Sequence, residues 1–245
     1  MENKKLLSTF IISLSIIITA AILGGAFKNR NNYTQKIAVT GLGSRDFVSD
    51  LVVWTGSFSR NSIELKEAYQ MLNTDQELIK KYFSAKGVND KEIIFSSVSI
   101  SKNIEEIYDN DGRIRERKFT GYNLVQRITI ESKEVEKIEK ISREVTELIN
   151  QGIEFYSEEP RYYYTKLAAL KVEMIAEATQ DATVRAKKIA ENAGNNLGNL
   201  KNAEMGVFQI VGQNAGDDYS WGGTFNTSAK RKTASITLNC DFEIK

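Results

Sequence analysis

The sequence contains no histidine. That removes the commonest general acid/base, the usual partner of a serine or cysteine nucleophile, and the most frequent transition-metal ligand. It has a single cysteine, Cys240, which excludes an internal disulfide and any thiolate cluster for zinc or iron–sulfur. Its one proline, Pro160, leaves no room for Pro-rich linkers and points to regular elements. Charge of either sign is not in excess: 33 Lys and Arg face 32 Asp and Glu, a formal +1. No electrostatic footprint for nucleic acid results. These absences predict no cofactor, no metal and no nucleic-acid partner. The 245 residues do allow a sizeable core, in one large domain or two small ones.

What is present begins with an uncharged apolar run from Leu6 to Phe27, preceded by Lys4 and Lys5 and closed by Lys28 and Arg30. A run of that length spans a hydrocarbon core of roughly 30 Å as a helix. It exceeds the roughly 7–15 apolar residues of a secretory signal. The first expectation is therefore an uncleaved signal anchor over 6–27, with a cytoplasmic tip at 1–5 and a polar linker at 28–35. Cleavage near the small residues Gly24 to Ala26 is the alternative. Basic residues on the two flanks are nearly matched, so charge alone does not orient the segment.

Beyond the linker, alternation of Ile37 with Val39 and of Val52 with Trp54 predicts strands over Lys36–Gly43 and Phe47–Arg60. Asn61 with Glu64 reads as a capping box opening a helix whose stripe is Leu65, Ala68, Tyr69, Leu72, Leu78 and Tyr82. Gly87 ends it, with Val88 returning onto Phe83 as in a Schellman motif. One strand carries Ile94, Ser96, Val98 and Ile100, and the next carries Tyr122, Leu124, Gln126, Ile128 and Ile130 on one face. Asp109–Gly112 turns between them. Lys133–Gln151 is a second helix with Val135, Ile138, Ile141, Val145 and Leu148 inward, closed by Gly152 with Ile153 on Leu148. A strand through Phe155 breaks near Pro160. The last strands are Met205–Val211 and Thr233–Ile244, where Ile236, Leu238, Cys240, Phe242 and Ile244 share a face. The order ββαββαβαββ predicts an α+β fold of mainly antiparallel sheets with helices packed on one face. It forms a domain over 36–245, with 36–132 and 133–245 as candidate halves.

Most familiar motifs dissolve on inspection. Gly41-Leu42-Gly43 lacks the third glycine and the following helix of a dinucleotide fingerprint. Asp109, Asp111 and Gly112 would place Lys118 where a calcium loop needs a glutamate. Glu158-Glu159 and Asp217-Asp218 are adjacent pairs, which extended backbone points to opposite faces. Lys230, Arg231 and Lys232 read as a solvated strand end, and Cys240, alternating with apolar residues, as a buried inert thiol.

Two stretches invite more. From Thr165 to Gly198, Leu167, Leu170, Met174, Ala178, Ala182, Ala186, Ile189 and Ala193 recur at helical spacing, with Gly194 as the cap beyond. A stripe dominated by alanine lets the helix approach closely whatever it packs on, either a sheet of its own chain or a helix of another subunit. Ala178, Ala182 and Ala186 are the candidate contact positions for the second case. The loop Gly212–Ser228 is rich in glycine and small polar residues yet holds Tyr219, Trp221 and Phe225. Aromatics there read either as interface anchors or as a hairpin tip folded back on the sheet. Tyr162, Tyr163 and Tyr164 are a second aromatic cluster.

The Ala-rich run with Asp181-Ala182, Arg185-Ala186-Lys187, Ile189-Ala190, Ala193-Gly194 and Leu197-Gly198 resembles the signature segment of the SIMPL-domain family. Ile37, Val39, Gly41 and Gly43 are similar to that family's opening strand, and Asp50-Leu51 to its next. Gly87-Val88 through Ile93, and Gly121-Tyr122, fit its middle. The resemblance covers Lys36 to Ile244. Ser49 stands where the family usually has proline, and Ile94-Phe95 replace a more polar pair. The resemblance implies an extracytoplasmic, envelope-associated bacterial protein without a recognisable active site, in a family that includes surface immunogens, proteins tied to oxidative stress, and ring- or channel-like oligomers.

Together these readings predict a non-enzymatic, single-pass protein of the cytoplasmic membrane with its C-terminal domain in the periplasm. It would act by homo-oligomerisation or by binding an envelope protein. The alternative is a small-molecule or peptide binder walled by Tyr219–Phe225 and Tyr162–Tyr164.

Overall fold

The computed structural model describes residues 13–25, 36–216 and 220–245. Residues 13–25 form an exposed helix, α1. At 1.5 Å per residue it is about 20 Å long, and among the described residues no helix is long and apolar enough to cross a membrane. The expected tip at 1–5, the rest of the 6–27 span and the linker at 28–35 lie outside the described residues.

The elements that follow are β1 (Lys36–Val48), β2 (Leu51–Ser62), α2 (Leu65–Ala85), a 3₁₀ turn (Asp90–Glu92), β3 (Ile93–Phe95), β4 (Ser99–Tyr108) and β5 (Ile114–Ser132). Then come α3 (Val135–Glu144), which tightens into 3₁₀ helix over Val145–Gln151, β6 (Phe155–Ser157), β7 (Arg161–Tyr163) and α4 (Leu167–Asn192). The chain closes with β8 (Leu197–Met205), β9 (Gln209–Gly212) and β10 (Arg231–Ile244). This is an α+β fold with two sheets. One runs β3-β5-β2-β6, with β4 also on β5 and β7 on β2. The other runs β1-β10-β8, with β9 on β10.

The chain divides into two compact units, to which β1, α4 and β10 each contribute. Of the described residues, one comprises those up to Gly41, Thr179–Met205 and Leu238–Lys245; the other comprises those of Leu42–Ala178 and Gly206–Thr237. In the larger, β2 and β5 pair antiparallel with Trp54 opposite Ile130, Gly56 opposite Ile128 and Phe58 opposite Gln126. Strand period 2 therefore puts Val52, Trp54, Phe58, Leu124, Ile128 and Ile130 on one face, and all are buried in a single cluster with residues of α2 and α3. Each large side chain so buried contributes about 1.5–3 kcal/mol. Phe155 lies directly over Gly56, where any Cβ would overlap its ring, and it packs beside Trp54 and Phe83. The buried Trp54 indole donates to Ser157 Oγ at 3.1 Å and to the Glu158 carbonyl at 3.0 Å.

Helix ends follow the glycines. At Gly87 (φ +81°) Val88 N–H donates to Phe83 O at 3.0 Å and Gly87 N–H to Ser84 O at 3.0 Å, the pair of bonds that defines a Schellman motif. At Gly152 (φ +77°) Ile153 N–H donates to Leu148 O at 3.2 Å. Gly194 repeats the pattern, with Asn195 N–H on Ala190 O at 2.9 Å.

Some expectations are corrected. No capping box opens α2: Asn61 belongs to β2, the N-cap Glu64 makes no side-chain cap, and Ser62 Oγ accepts Glu64 N–H while donating to Glu67. The strand expected through Ile94–Ile100 is two strands, and its first part faces the other way. Ile93 and Phe95 pack on the core whereas Ile94 is exposed. The strand expected over Met205–Val211 is split: Met205 ends β8, which pairs antiparallel with β10, Leu238 opposite Met205, and β9 begins only at Gln209.

In the smaller unit, Ala182, Ala186 and Ala190 of α4 are fully buried, and Leu238, Cys240 and Phe242 of β10 are buried. In the larger, Gly43 of β1 meets the backbone of α4 directly: a Cβ there would overlap Met174 O and lie 3.3 Å from Ala178 N. Asp50 secures the approach to that helix, its two carboxylate oxygens accepting Thr165 N–H and Oγ1–H at 2.7 Å each. Burial pushes the Asp50 carboxyl up, yet the Thr165 bonds outweigh it and hold its pKa below the ordinary value.

Candidate functional site

The aromatic loop joins β9 to β10, which pair antiparallel with Ala234 opposite Ile210. It is clamped at three points. Ile210 N–H donates to Thr224 O at 2.7 Å and its carbonyl accepts Asn226 N–H at 2.9 Å, so Phe225 makes a short parallel bridge beside β9. Buried Gln209 donates from its amide to Ser220 O and accepts Thr224 N–H, both at 2.7 Å. Lys232 donates to Tyr162 O at 2.7 Å and to Asn226 O, tying the loop's end to β7. A side-chain amide and an ammonium thus satisfy carbonyls that an irregular, glycine-rich loop cannot pair in a strand ladder.

Lys232 is 2% exposed, not solvated as its place in the basic run suggested. Burial lowers its pKa to about 8. Its neighbour Lys230 reaches Glu136 and Glu139 at 3.0 Å each, and these hydrogen bonds raise its pKa. The phase of the final strand carried the signal: Ile236, Leu238 and Cys240 extended backward reach Ala234 and Lys232. Gln209, by contrast, gave none.

The clamped loop holds Trp221 outward at 99% exposure, at the rim of a groove of about 600 Å³. Leu42, Val207 and Ile236 supply apolar walls, and Gln209, Ser235 and Thr237 supply uncharged polar groups. Gly206 keeps the groove open over Thr237, whose hydroxyl a Cβ would overlap. No charged side chain lines it among the described residues. The geometry suits an apolar or aromatic group presented with a few hydrogen-bonding partners, the composition typical of ligand pockets.

The other candidate residues fall elsewhere. Phe225 is half-exposed, with the Lys232 ammonium 5.9 Å from its ring. Tyr219 lies outside the described residues. Ala178, Ala182 and Ala186 are fully covered within the single chain. Tyr162 is buried and donates its N–H to Thr227 O, while Tyr164 packs on Phe47 at 4.8 Å. Cys240 is buried and free, and burial raises its pKa. Among the described residues no group of three or more Cys, Asp or Glu gathers where a metal could sit.

A third feature carries no sequence motif. Among the described residues β4 pairs only with β5. The hairpin they make leaves Ile100, Ile104, Tyr108, Ile114 and Phe119 exposed.

The domain is thus an α+β fold of antiparallel sheets with an Ala-rich helix seated against a glycine of β1. The chain belongs to the SIMPL family: the model of that family, described as a protein of unknown function (DUF541), matches residues 37–238. It is similar to the 26 kDa periplasmic immunogenic protein of Brucella melitensis biotype 1, with 26% identity over 195 residues, 76% of this chain and 74% of that protein. The protein of the same name from Brucella abortus strain S19 shows the same identity and coverage.

Proposed function

We propose that this chain is a membrane-anchored envelope protein whose work is contact: self-assembly or docking of another envelope protein, without catalysis. The observation that carries this reading is the β4–β5 hairpin. On one face its large apolar side chains Ile100, Ile104, Tyr108, Ile114 and Phe119 are exposed, as is Ile107 on the other, and nothing among the described residues covers them. A two-stranded ribbon is marginal by itself in water, and one that keeps an apolar face exposed gains from a partner. The apolar run 6–27 supports anchoring, and the periplasmic relatives support an extracytoplasmic domain. The lack of histidine supports a role without acid/base chemistry. A link to envelope or oxidative stress belongs to this reading as a consequence of failed assembly. The test is the absolute mass of the full chain in detergent across a wide dilution: a monomer throughout sinks the self-assembly reading.

A second reading rests on the Trp221 groove. An indole held fully in solvent by a clamped loop is a ready stacking surface, and the chain would then bind an uncharged aromatic molecule or peptide. A thermal-shift screen with such compounds, repeated on Trp221→Ala, decides it. No stabilisation of the native chain by any compound would remove this reading.

A further inference from the structure

The outer edge of β4 points to one occupant, and we infer that it is β4 of a second copy, paired antiparallel about a two-fold axis through Ile104. The inference rests on the self-assembly reading and names its surface. β4 is an edge strand without proline or bulge: the two register irregularities of the hairpin place the extra residues, Thr120 and Arg115, on β5. Such an edge presents unpaired backbone groups to any strand that matches it.

Because β4 stays regular, its even-numbered residues share one face. In an antiparallel pair, residues directly opposed lie on the same face, so only registers that oppose even to even join the two apolar faces. With Ile104 opposite itself, Ile100 meets Tyr108 of the second copy and Lys102 meets Glu106. Shifting by two residues either way sets Lys102 or Glu106 against an isoleucine. One register matches like with like.

The existing hairpin extends each match across four strands. Ile104 already lies opposite Phe119, so the central row becomes Phe119, Ile104, Ile104 and Phe119. Ile100 lies opposite Leu124 and Tyr108 opposite Ile114, which makes the next row wholly apolar. Between them Lys102, opposite Tyr122, makes no ion pair among the described residues. Glu106 holds Arg117 at 2.9 Å through one oxygen and accepts the Tyr108 hydroxyl at 2.9 Å on the other, and a carboxylate with roughly four acceptor sites still takes a second cation. The unpaired lysine and the carboxylate that would receive it sit two residues either side of the axis.

The experiment uses the full chain in detergent, oxidised after Ile104→Cys. Expected is a disulfide-linked dimer, because the two copies of residue 104 face each other. Ile100→Cys is expected to give none, its two copies being separated by about 27 Å along the paired strands. Lys102→Glu sets two carboxylates opposite Glu106, and the dissociation constant measured by ultracentrifugation should rise about tenfold. A discrete oligomer whose Ile104→Cys form does not crosslink, or whose Ile100→Cys form crosslinks equally, overturns the edge pairing and leaves self-assembly standing. A monomer overturns both.

Discussion

Replacing Gly43 with alanine should destabilise the protein, although strand propensity argues the opposite. Gly43 is not among the residues with positive φ, so alanine fits its backbone. By unfolded-state entropy alone the change would stabilise by about 0.4–1 kcal/mol. The added Cβ, however, would overlap Met174 O and sit 3.1 Å from Met174 C and 3.3 Å from Ala178 N. All three are backbone atoms, so no side chain can swing away. The strand and α4 must part by roughly 1 Å, and a gap of that size forfeits a quarter to a half of each contact's dispersion well. Overpacking of this kind costs about 1–3 kcal/mol or somewhat more, and the net loss should be about 2 kcal/mol. For a domain of this size that lowers Tm by about 4–8 °C, readable by circular dichroism. Gly216→Ala is the control: nothing lies within 4 Å of its Cβ and its φ is not positive. It should leave Tm within a degree or two. A Gly43→Ala protein as stable as the native chain would refute the close seating of α4.

Other outcomes follow from buried polar groups. Asp75, 3% exposed, takes Arg60 Nε at 2.5 Å and Nη2 at 2.8 Å. Asp75→Ala should cost about 2–4 kcal/mol in urea titration, since it strands a half-buried guanidinium. Lys232 has a folded pKa of about 8 against an ordinary 10.5. The unfolded chain therefore binds more protons between those values, and stability gained from this residue rises as pH climbs from about 8 to 10.5. The native chain should gain on Lys232→Met across that window, by an amount on the order of 3 kcal/mol, and a difference flat with pH would contradict the assignment. Trp221→Ala should leave the unfolding free energy unchanged to within about 0.5 kcal/mol, because the side chain is 99% exposed.

Periodicity found what one buried face dictates. The α3 stripe from Val135 to Leu148, the β5 face from Leu124 to Ile130 and the alternation of β10 all lie where their spacing puts them. The last two residues of the α3 stripe, Val145 and Leu148, stay aligned because the helix tightens to 3₁₀ there, where positions three apart eclipse. Glycine with a following apolar residue likewise located two helix ends, since only a left-handed residue returns the chain onto the last turn. What stayed hidden depends on partners distant in sequence. Asp75 looks like a solvent residue until Arg60 of β2 reaches it. Ile93 and Ile94 differ in burial only through their pairing with β5. Lys232 required two carbonyls, one of them 70 residues away. The groove beside Trp221 left no trace, because Gly206, Gln209 and Thr237 acquire their roles only once β9 and the loop are folded.

Self-assembly, the work proposed for this chain, is open to direct measurement. Light scattering after size exclusion of the full chain in detergent, corrected for bound detergent and repeated over a hundredfold dilution, tests it most directly. The account predicts a discrete mass above that of one 27.6 kDa chain, held across the dilution. A single-chain mass at every concentration would contradict it and turn attention to the Trp221 groove.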